Sequence, residues 1–149
     1  MQTMNAQAKT AHVDVNEIIS KMPAVIEAKK QLEKLQATYD TEYKTMVDEY
    51  QAKIKKYDQE AETVGEAVNA TRQTEVQDLI KRITDYGENA KKELQKKETD
   101  LVAPLYDKVR ASIEKVGKAK GYQYVLNAAD LLLKDGPDLT ADVKKDLGF

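Results

Sequence analysis

Residues 31–60 read QLEKLQATYDTEYKTMVDEYQAKIKKYDQE, and this stretch decides the fold. Its apolar and aromatic residues recur at steps of three or four, and the stripe continues a little beyond it: Leu32, Leu35, Tyr39, Tyr43, Met46, Tyr50, Ile54, Tyr57, Ala61 and Val64. Steps of this size follow the turn of an α-helix, so the stripe occupies one helix face. The sequence therefore predicts one long amphipathic helix here.

A second stripe of the same kind follows between residues 76 and 116. Its members are Val76, Leu79, Ile83, Tyr86, Ala90, Leu94, Leu101, Leu105, Val109, Ile113 and Val116. Residues 63–69 interrupt the pattern, and they contain Gly65, which suits a helix end, and Asn69, which suits the start of the next helix. Two such helices bury their stripes by folding back on each other. We therefore predict an antiparallel helical hairpin, the arm, over residues 24–118 with its tip near residues 63–69.

Two residues inside the second helix are predicted to bend the arm. Pro104 has no amide hydrogen and clashes with the carbonyl four residues earlier, so a kink is expected near Leu101 and Val102. Gly87 lies in mid-helix, where glycine costs about 1 kcal/mol relative to alanine. We expect both positions to be soft points.

The segments that flank the arm have the patterns of short strands and helices. Residues 9–15 alternate apolar with polar and predict a strand, which a short helix over residues 17–21 follows. Residues 122–127 and 131–134 predict two more strands, and residues 141–147 predict a final helix. These short segments are at the limit of size for burying a core without disulfides or metal, and their strands have open edges. We therefore expect residues 9–23 and 119–149 to form a β body shared between copies of the chain.

The first eight residues carry a weak targeting signal. Residues 6–8 read AQA, which has the form of a signal-peptidase site. Residues 1–8 are interpreted either as the remnant of an export signal or as an ordinary flexible terminus. The sequence leaves both readings open.

Composition excludes several classes of function. The 149 residues include no cysteine, so thiol chemistry and disulfide frameworks are excluded. The 24 basic and 26 acidic side chains leave a net charge of -2, which argues against nucleic-acid binding through phosphate contacts. The chain has no apolar run long enough to insert into a membrane. The predicted partners therefore include neither nucleic acid nor a membrane.

The search for chemistry yields no catalytic, cofactor-binding or metal-binding residue. His12 is the only histidine and lies on the first predicted strand beside Asp14, without a nucleophile motif nearby. The acidic pairs in the arm lack histidine partners and the spacing of a calcium loop. The sequence therefore predicts a protein that is not an enzyme and needs no cofactor.

The tyrosines of the arm allow two interpretations. Tyr43, Tyr50 and Tyr57 lie seven residues apart on the apolar stripe, where packing between the two helices explains them. Tyrosine, methionine and leucine side chains also suit a yielding surface that accepts apolar segments of another chain. That second interpretation describes a chaperone.

The layout resembles the Skp/OmpH family of periplasmic chaperones. The residues that carry the resemblance are AHVD at 11–14 with VNEII at 15–19, KGYQYVL at 120–126, and DLTADV at 138–143. The long charged hairpin lies between them, and the resemblance covers nearly all of residues 9–149. It implies an α+β fold in which a homotrimer shares a small β body and each subunit carries a helical arm.

The same resemblance implies a function and a set of residues for it. The chain is expected to be an ATP-independent periplasmic holdase that binds unfolded outer-membrane proteins in a cavity between arms. The oligomerisation body would include Val13, Val15, Tyr124, Leu126 and Leu132. The arm surface that touches clients would include Tyr43, Met46, Tyr50, Tyr57 and Tyr86.

One departure from the family and one alternative function bear on these expectations. Well-known members are strongly basic and bind lipopolysaccharide, whereas this chain is slightly acidic, which argues against lipopolysaccharide binding. The alternative function is a structural coiled-coil spacer or tether that docks folded envelope proteins. Such a tether would be indifferent to unfolded chains.

Overall fold

The computed structural model describes residues 8–149 and has an α+β fold. The prediction for residues 1–8 lies outside the described residues except at Ala8. The elements are β1 (Thr10–Val13), α1 (Val15–Lys21), α2 (Pro23–Glu60), α3 (Glu66–Ala119), β2 (Tyr124–Asn127) and α4 (Thr140–Leu147), with a single 3-10 turn at Ala128–Asp130. The predicted fold class, with its two long helices and small β part, is confirmed.

The described residues divide into two compact units. The terminal unit comprises residues 8–30 and 98–149, and it contains both strands, α1 and α4. The hairpin unit comprises residues 31–97, which contain the C-terminal part of α2, the turn that follows it and the N-terminal part of α3.

The sheet of the terminal unit is parallel and has two strands. β1 pairs with β2 from Thr10 opposite Tyr124 to Val13 opposite Asn127. The other edge of β1 is occupied, because the His12 amide donates to the Pro137 carbonyl at 2.9 Å and the His12 carbonyl accepts from the Leu139 amide at 2.9 Å. Both edges of β1 are therefore used within one chain.

Two strand predictions are wrong. Residues 131–134 form no strand, since the neighbouring edge of β1 is taken by the single bridge between His12 and Asp138. The first strand ends at Val13 instead of Val15, because the Asp14 carboxylate accepts the Glu17 amide at 2.9 Å and starts α1 at Val15. The capping residue therefore prevails over the alternating pattern at this position.

The core of the terminal unit is apolar, and its buried residues come from β1, from all four helices and from the segments next to them. Its buried members are Ala11, Val13, Ile18, Met22, Val25, Leu105, Val109, Val116, Leu139 and Val143. Gly117 lets β2 lie close to α3, since an added Cβ would come within 2.9 Å of the Val125 Cγ2 atom. This contact leaves no room for a side chain at position 117.

Polar contacts also join α1 to α4. The Glu17 carboxylate accepts hydrogen bonds from Lys144 and from Lys21. The Asp14 amide donates to the Thr140 hydroxyl at 2.9 Å, and that hydroxyl donates to Asp138 at 2.6 Å. The final helix is thereby tied to the first turn of α1.

Glu17 is expected to make the terminal unit sensitive to acid. Hydrogen bonds from Lys144 and Lys21 lower the pKa of Glu17 from 4.5 to about 2. Because the folded pKa is depressed, the stability that Glu17 contributes is complete above pH 4.5 and is lost as the pH falls toward 2. Replacing Glu17 by Gln should therefore reduce the difference between urea midpoints measured at about pH 7 and about pH 3.

The exposed Glu27, which lies in the same unit, provides the matched control. Glu27→Gln should keep the pH dependence of the unmodified chain. An unchanged pH dependence in Glu17→Gln would show that the Glu17–Lys144 pair does not contribute.

The hairpin unit turns at residues 61–65, between the end of α2 at Glu60 and the start of α3 at Glu66. Gly65 has a φ of 84°, the left-handed conformation that the sequence suggested for it. Asn69 lies inside α3 instead of capping its start, and its side-chain amide donates to the Ala61 carbonyl at 2.8 Å. It therefore caps the end of α2 across the turn.

Helix α3 continues through both predicted soft points. Gly87 lies in its hairpin-unit part and Pro104 in its terminal-unit part. The helix is assigned without interruption from Glu66 to Ala119. A bend at these positions stays a prediction.

Candidate functional site

The five residues predicted for a shared body lie in two different environments. Val13 is buried, and the half-buried Val15 packs against the same core, so both serve the fold of the single chain. Tyr124 and Leu126 are exposed by 60% and 43%, and Leu132 is fully exposed. The last three therefore present the largest accessible surface to another molecule.

Tyr124 and Leu126 lie on one face of β2, because alternate side chains of a strand point to opposite faces. The intervening Val125 points the other way and contacts α3 at Gly117. Leu132 follows in the irregular segment after the 3-10 turn. Large apolar side chains that are exposed to solvent on a small unit are typical of a surface that binds a partner.

A groove of about 660 Å³ opens on the other face of β2 in the terminal unit. Its apolar lining includes Val15, Tyr106, Ile113 and Val125. Tyr106 is 50% exposed and was not predicted, since it lies beside the stripe residue Leu105 and off the apolar stripe of α3. Leu133, which follows Leu132 and is 75% exposed, was also not predicted.

The tyrosines of the hairpin unit make contacts between α2 and α3. The rings of Tyr39 and Tyr86 meet edge to face with centroids 6.1 Å apart. The Tyr86 hydroxyl donates to Glu42, and the Tyr57 hydroxyl donates to Glu75 at 2.6 Å. These contacts support the packing interpretation for Tyr57 and Tyr86, whose hydroxyls are engaged within the chain.

The hydrogen bond from Tyr86 to Glu42 changes the pKa of the Tyr86 hydroxyl. It raises the pKa of Tyr86 from 10.0 to about 12, because the negative carboxylate disfavours a tyrosinate beside it. The neutral hydroxyl that donates this bond therefore persists over a wide range of pH.

The remaining predicted arm residues are more accessible. Tyr43 is exposed by 43%, while Met46 and Tyr50 are half-buried. Tyr50 lines a shallow depression of about 290 Å³ together with Val47, Ile80, Ile83 and two polar residues. Ile80 is 45% exposed and was missed because it lies next to the stripe residue Leu79 and off the stripe itself.

The apolar core of the hairpin unit is small. Of the residues described between 31 and 97, only Leu79 and Ile83 are buried apolar side chains. The exposed large apolar residues of the same unit are Tyr43, Val68 and Ile80. The hairpin unit therefore displays more large apolar side chains to solvent than it buries.

Gly87 has a packing role that the sequence did not suggest. A Cβ atom added at Gly87 would lie 3.3 Å from the Tyr43 Cε2 atom, which is tighter than ordinary contact. Glycine therefore allows the Tyr43 ring to lie against α3. The conformational softness expected of Gly87 is only part of its role.

A double-mutant cycle separates the two roles of Gly87. In a Tyr43→Ala background, Gly87→Ala should stabilise the chain by about 0.5–1 kcal/mol, because alanine favours helix more than glycine does. With Tyr43 present the gain should be smaller, since the ring must move to admit the new methyl group. Urea unfolding of the four proteins measures this coupling, and equal gains in both backgrounds would exclude it.

His12 is buried in β1, and its Nε2 atom lies 3.8 Å from the Asp138 carboxylate. A hydrogen bond from the Thr140 side chain lowers the pKa of Asp138. Within residues 8–149 no three or more potential ligand side chains come together as a metal site would require. In the same described range, no helix has the length and apolarity needed to cross a membrane.

Comparison with known proteins identifies the family. The chain matches the model of the OmpH-like outer membrane proteins over residues 9–147. Its fold is similar to the crystal structure of an OmpH-like protein from Caulobacter crescentus CB15, proposed to be an outer membrane chaperone, with a TM-score of 0.84 and 15% identity over 95% of this chain and 85% of the other. No curated protein gives a significant match. Because the family match spans nearly the whole sequence, the chain belongs to the OmpH-like family of outer membrane proteins.

Proposed function

We propose that the protein is an ATP-independent holdase chaperone that binds unfolded outer-membrane proteins and prevents their aggregation. Membership of the OmpH-like family supports a chaperone role. The observation that carries the finer proposal is the exposed apolar set of the hairpin unit, Tyr43, Val68 and Ile80, set among charged residues. Such a surface offers apolar contacts to an unfolded chain while the charges keep it in solution.

Binding of this kind depends on many weak contacts. Each exposed side chain buries little area against a client, so one contact alone gives low affinity. Several contacts within one assembly raise the effective concentration and hold the client firmly overall. Individual segments of the client can still detach one at a time, which permits release without ATP.

A homotrimer would supply the several copies that this mechanism needs. Tyr124, Leu126 and Leu132 are exposed apolar residues of the terminal unit, and their burial between subunits is the simplest account of them. We propose that these residues form the shared body and that the hairpins of three subunits enclose the client. The proposed place of action is the periplasm.

Electrostatic attraction plays a minor part in this proposal. Residues 31–97 contain 12 basic and 14 acidic side chains, so the hairpin unit has a net charge of -2. This near balance provides no strong attraction for acidic clients or for lipopolysaccharide. Apolar contacts should therefore dominate, and client binding should change little with salt.

Dilution of a urea-unfolded outer-membrane β-barrel protein tests the function. Light scattering is followed with no addition, with this protein in molar excess, and with an equal mass of an unrelated helical protein. Suppression of scattering by this protein alone, without ATP, is expected. Scattering that matches the unrelated protein, together with binding to a folded envelope protein, would favour the tether instead.

A further inference from the structure

The segment around the tip of the hairpin unit, residues 53–75, has no buried apolar side chain of its own among its described residues. Ile54, Val64 and Val76, within or directly beside it, are half-buried. The buried pair of the unit, Leu79 and Ile83, lies outside this tip segment. Hydrophobic burial alone therefore gives little stability to the last turns of the two helices.

Polar side chains join the two helices of the tip segment. Lys53 and Tyr57 on α2 both donate to Glu75 on α3, the first to Oε1 and the second to Oε2 at 2.6 Å. In the opposite direction, Arg72 on α3 donates to the Glu60 Oε2 atom of α2 at 2.6 Å. Both carboxylates accept from the partner helix, so the contacts cross between the helices twice.

The two crossings are coupled through Tyr57. The Arg72 guanidinium lies over the Tyr57 ring at 4.4 Å from its centroid, which is within range of a cation–π interaction. The hydroxyl of the same ring donates to Glu75. Loss of the Glu75 carboxylate would therefore remove the acceptor of the Tyr57 hydroxyl. The Tyr57 ring could then move, and its cation–π contact with Arg72 would be weakened.

The network also contains an unfavourable element. The Nη1 atom of Arg72 is buried without a hydrogen-bond partner, whereas its Nη2 atom is paired with Glu60. A buried donor without a partner is unfavourable relative to its hydrated state. Opening of the tip returns this donor to water, so the closed tip is only moderately favoured.

We propose that Lys53, Tyr57, Glu60, Arg72 and Glu75 form a charge clasp that holds the tip segment closed, and that the tip opens separately from the rest of the hairpin unit when the clasp is broken. This inference rests on the proposed function, for which it supplies a means of adapting to clients. Opening exposes the half-buried faces of Ile54, Val64 and Val76, which are apolar surface for an unfolded chain.

The clasp responds to pH through Glu75. The groups that face its carboxylate are Lys53 and Tyr57 from α2 and Arg72 from α3. Lys53, and then Tyr57, lower the pKa of Glu75 below its ordinary value of 4.5. The contribution of Glu75 is therefore complete above pH 4.5 and is lost as the pH falls through the lowered pKa.

Amide hydrogen exchange on the full chain tests the clasp by comparing Glu75→Gln with the unmodified protein. Removing a charge-assisted hydrogen bond should favour opening and speed exchange in residues 53–75 by about tenfold, while exchange around Leu79 and Ile83 changes little. The control is Asp85→Asn, which breaks the exposed Lys81–Asp85 pair within α3 alone. The control should leave exchange of the tip segment unchanged.

A distance measurement provides the second test. Because the sequence has no cysteine, Gln59→Cys and Gln73→Cys, both at exposed positions, can carry a pair of spin labels at the tip. Thr45→Cys and Thr84→Cys carry a reference pair nearer Ile83. Glu75→Gln should broaden the tip distance distribution and leave the reference distribution unchanged. Acidification below pH 4.5 should broaden the tip distribution of the unmodified clasp as well.

Unchanged tip exchange and an unchanged tip distribution in Glu75→Gln would overturn the clasp, as would equal changes at the tip and at the reference. Circular dichroism shows whether Glu75→Gln has lost helix throughout the chain. If it has, the same exchange and distance measurements are made on Glu60→Gln, which breaks only the contact between Arg72 and Glu60. These measurements use the chain without a client. The clasp can therefore stand when the light-scattering test of the proposed function fails, and the converse also holds.

Discussion

Replacing Ile18 by alanine is expected to lower the free energy of unfolding of the terminal unit by about 2–5 kcal/mol. Ile18 has no exposed surface and lies in the core together with Val109 and Val143. Truncation removes buried methyl and methylene groups and leaves a cavity, because α1 is held in place by its cap and by the contacts of Glu17. Urea unfolding followed by circular dichroism measures this loss.

Ile26→Ala is the matched control for this loss of stability. The same side chain is shortened, but Ile26 is 43% exposed and lies one turn beyond the start of α2. Its effect should be about 1 kcal/mol or less. Equal losses in the two variants would contradict the assignment of the core.

Replacing Leu132 and Leu133 together by aspartate is expected to abolish self-association and leave the fold of the subunit intact. Leu132 is fully exposed and Leu133 is 75% exposed, so both side chains make little contact within the chain. In a shared body they would be buried between subunits, where two unpaired carboxylates are strongly unfavourable. Sedimentation should then report a single chain of 16.8 kDa in place of the assembly.

Val68→Asp controls for the introduction of charge at an exposed apolar residue. Val68 is 42% exposed but lies in the hairpin unit, outside the proposed body. The mass of the Val68→Asp variant in solution should match that of the unmodified protein. An unchanged mass in the double leucine variant would exclude residues 132 and 133 from the contact between subunits.

The long helices and the fold class follow directly from the sequence. The stripe from Leu32 to Val64 has the period of a helix, and few residues in it oppose that conformation. The presence of α1 could also be predicted, since Asp14 with Glu17 forms a local capping pattern, but the helix starts at Val15, two residues before the predicted start. Such features depend only on residues that are near one another in the chain.

Features that depend on distant partners could not be predicted. The segment at residues 131–134 has the composition of a strand, but Pro137 and Leu139 occupy the edge of β1 that it would need. Lys53 likewise has an acidic residue, Glu49, one turn earlier on the same helix, yet it pairs with Glu75 across the hairpin. The choice between such partners is made by tertiary packing, which local spacing does not encode.

The candidate site was predictable only in part. The stripe identifies Tyr43, Met46 and Tyr50, which retain accessible surface, but it also selects Tyr57, whose hydroxyl and ring are engaged in the clasp. Ile80 was not predicted to be accessible, because an apolar residue that lies off the stripe does not contribute to the helical periodicity of the sequence. An apolar residue that breaks the helical period is therefore a useful indicator of exposed binding surface.

Native mass spectrometry of the protein mixed with a urea-unfolded outer-membrane β-barrel protein tests the central claim most directly. We predict a complex whose mass equals three chains of 16.8 kDa each plus one client, formed without ATP. A single chain of 16.8 kDa that binds no client under these conditions would contradict it.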